Sequence, residues 1–323
     1  MFRLCARWPI IAFLAAFGAG SAQAFDLQGH RGARGLAPEN TLAAFARALE
    51  IGVTTLETDL AVTRDGVIVL SHDPVLNPDI VRGPDGTWLA APGPAINSLT
   101  LAELERFDVG RIRPGSKYAQ QFPLQQPVDG ARIPTLAQLF ELAKASGRAP
   151  RFNIETKLSP DQPGAAPEPE AFSRVVVDAV RSAGLAGRTT IQSFDWRTLI
   201  AARKLAPEIA TVCLTAPSTL RDRGEGSTRR PSAWLAGLDP ADHGASAARL
   251  AKAAGCSVWS PHFGDLAAAQ IAEAHALGLT VVPWTVNTPD DMARIIDLKV
   301  DGLITDYPDQ ARTVLAQKGI AFP

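Results

Sequence analysis

Short runs of apolar and β-branched residues alternate along the chain with segments in which apolar positions recur every three or four residues. The first pattern predicts buried strands and the second predicts amphipathic helices. The predicted strands are Asp26–His30, Thr54–Val62, Val67–His72, Arg151–Lys157, Thr189–Phe194, Ala210–Thr215, Ser257–His262, Thr280–Val286 and Gly302–Tyr307. Repeated strand–helix units with mostly continuous apolar strands are typical of a parallel sheet covered by helices. The pattern therefore predicts a (β/α)8 TIM-type barrel, with a doubly wound open sheet as the alternative.

Capping residues mark several helix boundaries. Residues 42–49 carry apolar side chains on one face, and Gly52 follows as a C-terminal stop. A similar face at 136–143 precedes Gly147. The run Thr288–Asp291 supplies an N-cap, a proline at the first helical position and acids in the first turn.

Nine strands are predicted for the eight places of a barrel. The Asp65-Gly66 pair is typical of a hairpin turn, so the second or third strand is expected to be antiparallel or an extension. Residues 74–133 have little periodicity and many Pro, Gly and Gln, apart from a short predicted helix at 101–107. We expect this stretch to be an inserted cap or long loop within one barrel domain that spans 25–323.

The amino terminus has the pattern of an export signal. Arg3 and Arg7 precede an apolar run at 9–17, and small residues follow up to Ala24. This predicts a signal peptide at 1–24, cleaved after Ala24, and a periplasmic or secreted protein with no stable membrane insertion after cleavage. The alternative is an uncleaved anchor, for which the apolar run is short.

Composition narrows the function classes. The 323 residues include 32 Lys and Arg and 33 Asp and Glu, a net charge of −1, so no strong basic field exists to hold nucleic acid. With 46% hydrophobic and 20% charged residues the chain is globular rather than disordered. Cys213 and Cys256 lie in apolar, strand-like stretches, and we expect two separate buried thiols rather than a disulfide.

Polar side chains interrupt the predicted strands near their carboxyl ends, where the active site of a parallel barrel lies. They are His30 and Arg31 after the first strand, Glu57 and Asp59 in the second, His72 in the third, Glu155 and Lys157 in the fourth, Phe194 in the fifth and Trp284 in the eighth. Taken singly, each has a structural interpretation as a cap, an ion pair or a core residue. Together they are too costly to bury as a purely structural network.

Glu57 and Asp59 are two residues apart and point to one face of a strand, roughly 7 Å between Cα atoms. Two buried carboxylates repel each other unless a cation lies between them. An oxygen-only pair suits a hard ion such as Ca²⁺ or Mg²⁺ better than zinc. The sequence favours neither of these two ions.

The ordered set of motifs from Gly29 to Tyr307 resembles the glycerophosphodiester phosphodiesterase family. The motifs are GHRG, PENT, LETD, DG, SHD, IETK, QSF and WTVN. The resemblance implies a phosphatidylinositol-phospholipase-C-like barrel with an insertion after the HD motif, which matches 74–133. One departure is visible, because the chain has Asn77–Arg82 where the family often has an Arg-Thr-Thr-like run.

The resemblance implies a glycerophosphodiester substrate. For its hydrolysis, His30 fits the role of general base and His72 that of general acid, because imidazole titrates near neutral pH. Glu57, Asp59 and Glu155 are predicted to hold one divalent cation, Ca²⁺ or Mg²⁺.

Arg31 and Lys157 are predicted to bind the phosphate, and Phe194 and Trp284 to form apolar walls. The expected reaction is hydrolysis of a small-molecule glycerophosphodiester to sn-glycerol 3-phosphate and an alcohol. Two alternatives stay open: phospholipase-D-like hydrolysis of lysolipids at the same site, and a non-catalytic phosphodiester-binding protein. The sequence leaves the head group and the oligomeric state undetermined.

Overall fold

The computed structural model describes residues 24–221 and 232–320. The predicted signal peptide, apart from Ala24, lies outside the described residues. Within the described ranges, no helix is long and apolar enough to cross a membrane.

The predicted alternation of strands and helices is confirmed. The strands are β1 Asp26–Gly29, β2 Thr55–Val62, β3 Ile68–Leu70, β4 Arg151–Thr156, β5 Thr189–Ser193, β6 Ala210–Thr215, β7 Val258–Pro261, β8 Thr280–Val281 and β9 Gly302–Thr305. The α-helices are α1 Leu42–Ile51, α2 Leu101–Leu104, α3 Lys117–Gln121, α4 Leu136–Ala145, α5 Pro169–Ser182, α6 Trp196–Leu205, α7 Pro217–Leu220, α8 Ala247–Ala254, α9 Ala268–Ala276, α10 Pro289–Asp297 and α11 Pro308–Gln317. Short 3₁₀ helices cover Ile96–Ser98, Ala186–Arg188, Ala233–Leu235, Pro240–His243 and Phe263–Asp265.

Eight of the strands form a parallel barrel in the order β8-β7-β6-β5-β4-β2-β1-β9. The segment after β8 joins the two ends of this order, since Val286 N donates to Ile304 O at 2.9 Å and Ile304 N donates to Pro283 O at 2.9 Å. The TIM-type barrel predicted from the sequence is thereby confirmed. All eight carboxyl ends consequently meet at one mouth, which is where parallel barrels place their functional groups.

The ninth strand is the predicted hairpin arm. β3 pairs antiparallel with β2, with Leu60 opposite Leu70, and takes no place in the barrel wall. This hairpin carries a small apolar core of its own beneath residues 74–133, which the structure places as an insertion between β3 and α4. Its buried members are Ala61, Val69, Leu76, Val81, Ile96, Leu104, Val109 and Ile133. The insertion is therefore packed onto the barrel as an ordered body rather than as a loose loop.

The helices begin and end where the capping pattern indicates. The Thr41 side chain accepts from Ala44 N at the start of α1, and Gly52 closes the helix with φ at 87°. Thr288 caps α10 with Pro289 at its first position. The predicted helix at 101–107 is shorter than expected and covers only α2.

The expectation of two separate thiols is wrong, because Cys213 and Cys256 form a disulfide. Cys213 lies on β6, and Cys256 lies just beyond the end of α8, which packs back against β6 and β7. This return brings the two Cα atoms to 5.9 Å, within the range that a disulfide spans, across a sequence separation of 43 residues. Hydropathy alone carries no information about that proximity.

Candidate active site

The residues predicted for the site converge at the carboxyl ends of the strands. An open cavity of about 540 Å³ lies there. All of the predicted residues except Asp59 line it, together with Arg34, Gln192, Leu214, Thr285 and Ile304. Asp59 is 1% exposed and lies directly beneath, in the same acidic cluster as Glu57 and Glu155.

Three carboxylates form a floor at the base of the site: Glu57 and Glu155 line the cavity, and Asp59 belongs to the same cluster beneath them. Glu57 and Asp59 lie on β2, and Asp59 is the register partner of Glu155 on the neighbouring strand β4. One oxygen of each carboxylate lies within 4.8 Å of the other two. All three residues are buried, and their donors are oxygens only. This set fits a hard divalent cation such as Ca²⁺ or Mg²⁺, and the donor set is the same for either ion.

The pKa values of the three carboxyl groups indicate that the neighbouring positive side chains do not fully balance the negative charge of the cluster. Burial and the charge of Asp59 raise the pKa of Glu57 well above its usual range. Burial raises the pKa of Glu155 to about 7, against the opposing charge of Lys157. Burial alone would raise the pKa of Asp59, but the adjacent Arg31 holds it well below its usual range. A divalent cation at this point would supply the missing positive charge.

Hydrogen bonds fix the orientation of each carboxylate. Glu57 accepts from Gln192 Nε2 at 2.6 Å and from the backbone N–H of Arg31 at 2.9 Å. Asp59 accepts from Asn40 Nδ2 at 3.0 Å. Glu155 accepts from Lys157 Nζ at 2.9 Å. The cluster is thus held rigidly, as a preformed ligand set requires.

The loop after β1 needs glycine at one position. Gly32 has φ at 87°, and a Cβ there would lie 2.6 Å from the backbone of Ala44 in α1. Arg31 just before it also has a positive φ, at 50°. This tight turn aims the Arg31 backbone N–H at Glu57 and its guanidinium at Glu39 Oε1, at 2.8 Å, and at Asp59 Oδ2, at 3.1 Å.

His30 is oriented by a buried carboxylate. Its Nδ1 lies 2.7 Å from Asp306 Oδ1, and Asp306 is fully buried. Because an ionised carboxylate only accepts, Nδ1 carries the proton and Nε2, 4.0 Å from Glu57 Oε2, holds the free lone pair. Burial and the charge of Arg34 lower the pKa of His30 to about 4. The ring is therefore neutral at physiological pH and able to accept a proton.

His72 has a similar but more open arrangement. Its Nδ1 lies 2.8 Å from Asp73 Oδ1, and Asp73 is held in turn by Asn77 Nδ2 at 2.7 Å. Both side chains are 34% exposed. Burial and the charge of Arg31 lower the pKa of His72. The two imidazoles thus line the same cavity, each with Nδ1 bound to a carboxylate.

The remaining predicted residues form one wall of the cavity. Phe194 packs edge-on against Trp284 with ring centroids 5.2 Å apart. Lys157 Nζ lies 6.0 Å from the centroid of the Phe194 ring and 3.8 Å from Asp59 Oδ1. His262 also packs edge-on against Trp284, at 5.3 Å, and so lies beside this wall without lining the cavity.

Sequence reasoning missed Asp306 and Arg34. Arg34 binds Asp306 through two hydrogen bonds, at 2.8 and 2.9 Å. Burial alone would raise the pKa of Asp306, but His30 and Arg34 hold it well below its usual range. A signal was present, because Asp306 follows the buried strand β9 directly, the kind of position that singled out the other acids.

Enzymes with a (β/α)8 barrel carry their active sites at the carboxyl ends of the strands. The acids, imidazoles and cations gathered at that mouth are therefore typical of an enzyme of this architecture. The family model described as "Glycerophosphoryl diester phosphodiesterase family" matches residues 30–310. The chain therefore belongs to this family of enzymes and is a phosphoric diester hydrolase.

Individual relatives agree with this family. The glycerophosphodiester phosphodiesterase of Caldanaerobacter subterraneus is 28% identical over 290 residues, which cover 90% of this chain and 97% of that protein. A Silicibacter pomeroyi crystal structure, assigned by inference as a glycerophosphoryl diester phosphodiesterase, is 34% identical, covers 94% and 97% of the two chains and has a TM-score of 0.82. An Oleispira antarctica phosphodiesterase in complex with the product sn-glycerol-3-phosphate is 24% identical, covers 90% and 96%, and shares the fold with a TM-score of 0.64.

Replacing Asp306 by Asn tests its role in orienting His30. The variant should lose about 100-fold or more in kcat, because an amide no longer enforces the Nδ1–H tautomer. It should also lose about 3 kcal/mol of stability at pH 7, because Arg34 loses a buried partner. The pKa of the Asp306 carboxyl is lower in the folded state than in the unfolded state, so its contribution to stability is lost as the pH falls. The stability difference should therefore persist from pH 7 to 5 and narrow below about pH 4.

Chemical denaturation at several pH values and steady-state kinetics check both effects. Asp301→Asn is the matched control, since Asp301 binds His275 Nε2 at 2.9 Å at the opposite end of β9. That variant should keep activity within about twofold. Equal kcat losses in the two variants would contradict the role of Asp306.

Proposed function

We propose that this enzyme hydrolyses glycerophosphodiesters to sn-glycerol 3-phosphate and an alcohol, using one divalent cation and a pair of histidines. The observation that carries the proposal is the single cavity that joins three clustered carboxylates to two oriented imidazoles. The Oleispira relative with the same fold, solved with sn-glycerol-3-phosphate, supports the choice of substrate.

Glu57, Asp59 and Glu155 would hold the cation. When bound, Ca²⁺ or Mg²⁺ would polarise the phosphate and lower the pKa of the attacking hydroxyl. The protein contributes the fixed orientation of the three carboxylates and the open cavity that would receive the phosphate.

Two proton transfers accompany the reaction. His30 Nε2 accepts the proton of the glycerol hydroxyl that attacks phosphorus, while Asp306 stabilises the imidazolium that forms. The bond from phosphorus to the leaving oxygen breaks, and His72 donates its Nε2 proton to that oxygen in the fraction of molecules that enter the step with His72 as imidazolium. The alcohol therefore leaves as a neutral molecule, and Asp73 keeps the His72 ring in place. The attack of the glycerol hydroxyl gives a cyclic phosphate, and water then opens it with the two proton transfers reversed, which yields sn-glycerol 3-phosphate.

Arg31 and Lys157 both make ion pairs with the carboxylate floor, at 3.1 Å from Asp59 Oδ2 and 2.9 Å from Glu155 Oε1 respectively. Arg31 presents a planar guanidinium suited to phosphate oxygens, and Lys157 adds a point charge. Phe194 and Trp284 form the apolar wall against which the glycerol or the leaving group packs.

A second candidate activity is lysophospholipid hydrolysis at the same site. An open groove of about 590 Å³ shares His72, Glu155 and Lys157 with the active-site cavity and is lined beyond them by other residues. Its outer walls are mostly apolar and comprise Pro74, Leu158, Ala165, Ala166, Phe194 and Trp234. Such walls match one acyl chain, each buried methylene of which contributes about 0.8 kcal/mol.

Export completes the proposal. The charged start, apolar run and small residues of 1–24 support a cleaved signal peptide. The disulfide between Cys213 and Cys256 adds independent support, because disulfides persist in oxidising compartments such as the periplasm.

Metal dependence is tested with Glu57→Gln, which keeps the side-chain volume and removes one charge. Release of glycerol 3-phosphate from glycerophosphocholine should stop in EDTA and return with Ca²⁺ or Mg²⁺. The variant should need about tenfold more metal or greater for half-maximal activity, because one hard ligand has been weakened. Glu141→Gln, an exposed change on α4, is the control. A Glu57 variant as active and as EDTA-resistant as the wild type would exclude the assignment.

The acid–base pair is tested with His30→Ala and His72→Ala. Each should lower kcat by about 10²–10⁴-fold at saturating metal, because each removes one proton transfer. The double variant should be little worse than either single one if the pair acts as a unit. His275→Ala, on α9 and bound to Asp301, should leave kcat unchanged. Near-full turnover in either site variant would make that histidine structural and His262 the next base to examine.

The groove is tested with Trp234→Ala, assayed for choline release from lysophosphatidylcholine and from glycerophosphocholine. The variant should raise KM about tenfold for the lysolipid only, since the lost contact is with the acyl chain. Leu124→Ala, at a residue 53% exposed and outside the groove, is the control. Equal effects on both substrates, or no lysolipid turnover in the wild type, would exclude this second activity.

Export is tested by mass spectrometry of the protein recovered from the periplasm or medium. The mature amino terminus should be Phe25, because Ala22 and Ala24 are the small residues that signal peptidase recognises. Recovery of the chain with Met1 retained would show that no cleavage occurs.

A further inference from the structure

We infer that Tyr118, supplied by the insertion, is a positioning residue whose hydroxyl fixes the relative positions of the Arg31 and Arg34 side chains at the mouth of the site. The inference deepens the proposed function and rests on it in one respect, namely that Arg31 binds the substrate phosphate. It gives the insertion a direct part in the geometry of the site.

The Tyr118 hydroxyl is bound on both sides. It donates to Glu39 Oε2 through a short hydrogen bond and accepts from Arg34 Nη1 at 3.3 Å. Glu39 uses its other oxygen to accept from Arg31 Nη1 at 2.8 Å. Arg31 Nε then lies 3.1 Å from Asp59 Oδ2. An unbroken chain of contacts therefore runs from the insertion to the carboxylate floor.

A second branch leads from the same hydroxyl to the proposed base. Arg34 makes two hydrogen bonds to Asp306, and Asp306 holds His30 Nδ1 at 2.7 Å. Tyr118 thus contacts Glu39, which holds Arg31, and Arg34, which holds the Asp306 carboxylate behind His30. These are the two parts of the site that must act together on one phosphate.

A neutral hydroxyl suits this position for an electrostatic reason. Arg31 and Arg34 carry like charges that repel each other, and the neighbouring Asp306 and Glu39 carboxylates outweigh burial and this repulsion, so the pKa of Arg34 lies above its usual value. Glu39 binds Arg31 directly and interacts with Arg34 through its charge, and Tyr118 adds a donor to Glu39 and an acceptor for Arg34 without adding charge. A phenylalanine at this position would leave both partners without that bond while the ring still packed against Phe122, at 5.2 Å between centroids.

The backbone around Tyr118 is anchored to the loop that carries these arginines. Gln125 Nε2 donates to the Arg34 carbonyl at 2.7 Å, and Gln126 N donates to the Leu36 carbonyl at 2.9 Å. The Phe122 ring lies 4.6 Å from the Arg34 guanidinium carbon. This part of the insertion is therefore docked firmly enough to position a side chain.

Tyr118→Phe is the test, and the chain offers a matched control. The sequence contains two tyrosines, and the other, Tyr307, donates its hydroxyl to Gln121 O at 3.4 Å in the same helix α3. Tyr307→Phe therefore also removes one hydrogen bond between the barrel and the insertion, but among the described residues the Tyr307 hydroxyl makes no hydrogen bond to Arg31 or Arg34. A purely structural role predicts the same result for the two variants.

Three quantities separate the outcomes: kcat and KM for glycerophosphocholine, the affinity for inorganic phosphate by calorimetry, and the melting temperature. Tyr118→Phe should lower kcat and phosphate affinity by about tenfold each, as expected for a lost hydrogen bond within a charged network. Tyr307→Phe should change both by less than about twofold. The two melting temperatures should lie within a few degrees of each other.

A double-mutant cycle with Glu39→Gln tests whether Tyr118 acts on Arg31 through Glu39. If Tyr118 acts on Arg31 through Glu39, removing the hydroxyl from the Glu39→Gln variant should weaken phosphate binding by less than about twofold. Equal phosphate affinities in Tyr118→Phe and Tyr307→Phe, or independent effects of the Tyr118 and Glu39 changes, would overturn the inference. Failure of the wild type to release glycerol 3-phosphate would instead overturn the proposed function, and phosphate affinity would still decide the role of Tyr118.

Discussion

The mutual repulsion of Glu57, Asp59 and Glu155 is the constraint on which the site depends. Asp59 and Glu155 are register partners on adjacent parallel strands, so the barrel itself forces these two carboxylates together. The surrounding side chains compensate for this repulsion, with Arg31 against Asp59 and Lys157 against Glu155. The raised pKa values of Glu57 and Glu155 indicate that the compensation is incomplete, which is the electrostatic condition of a cation site.

The loop after β1 connects this floor to the rest of the site. Gly32 lets the chain turn tightly against α1, and the turn places His30, Arg31 and Arg34 within a few residues of one another. These side chains then meet groups from distant parts of the chain, Asp306 after β9 and, through Glu39 and Arg34, the insertion. One short segment thus couples the carboxylate floor, the proposed base and the insertion, and a change in any of the three reaches the others through it.

Periodicity was sufficient to predict the barrel, because each strand and most helices bury a continuous apolar face that the sequence records directly. It also predicted the hairpin arm, since Asp65-Gly66 specifies a turn that no parallel connection can use. The missed contacts are those between segments far apart in sequence. The pairs Cys213–Cys256 and Glu39–Tyr118 are separated by 43 and 79 residues, and no local pattern encodes such proximity. Asp306 lies 276 residues from His30, but it follows a buried strand, and that position was the available signal.

The most direct test of the account is anomalous diffraction from crystals of the mature protein soaked in Mn²⁺, a hard divalent ion that scatters anomalously. The account predicts one strong peak per chain, with carboxylate oxygens of Glu57, Asp59 and Glu155 at about 2.0–2.6 Å from it. The same crystals of Glu57→Gln should show a weaker peak or none. A peak at other residues, or a wild-type site without a peak at millimolar Mn²⁺, would contradict the assignment of this cluster as the metal site.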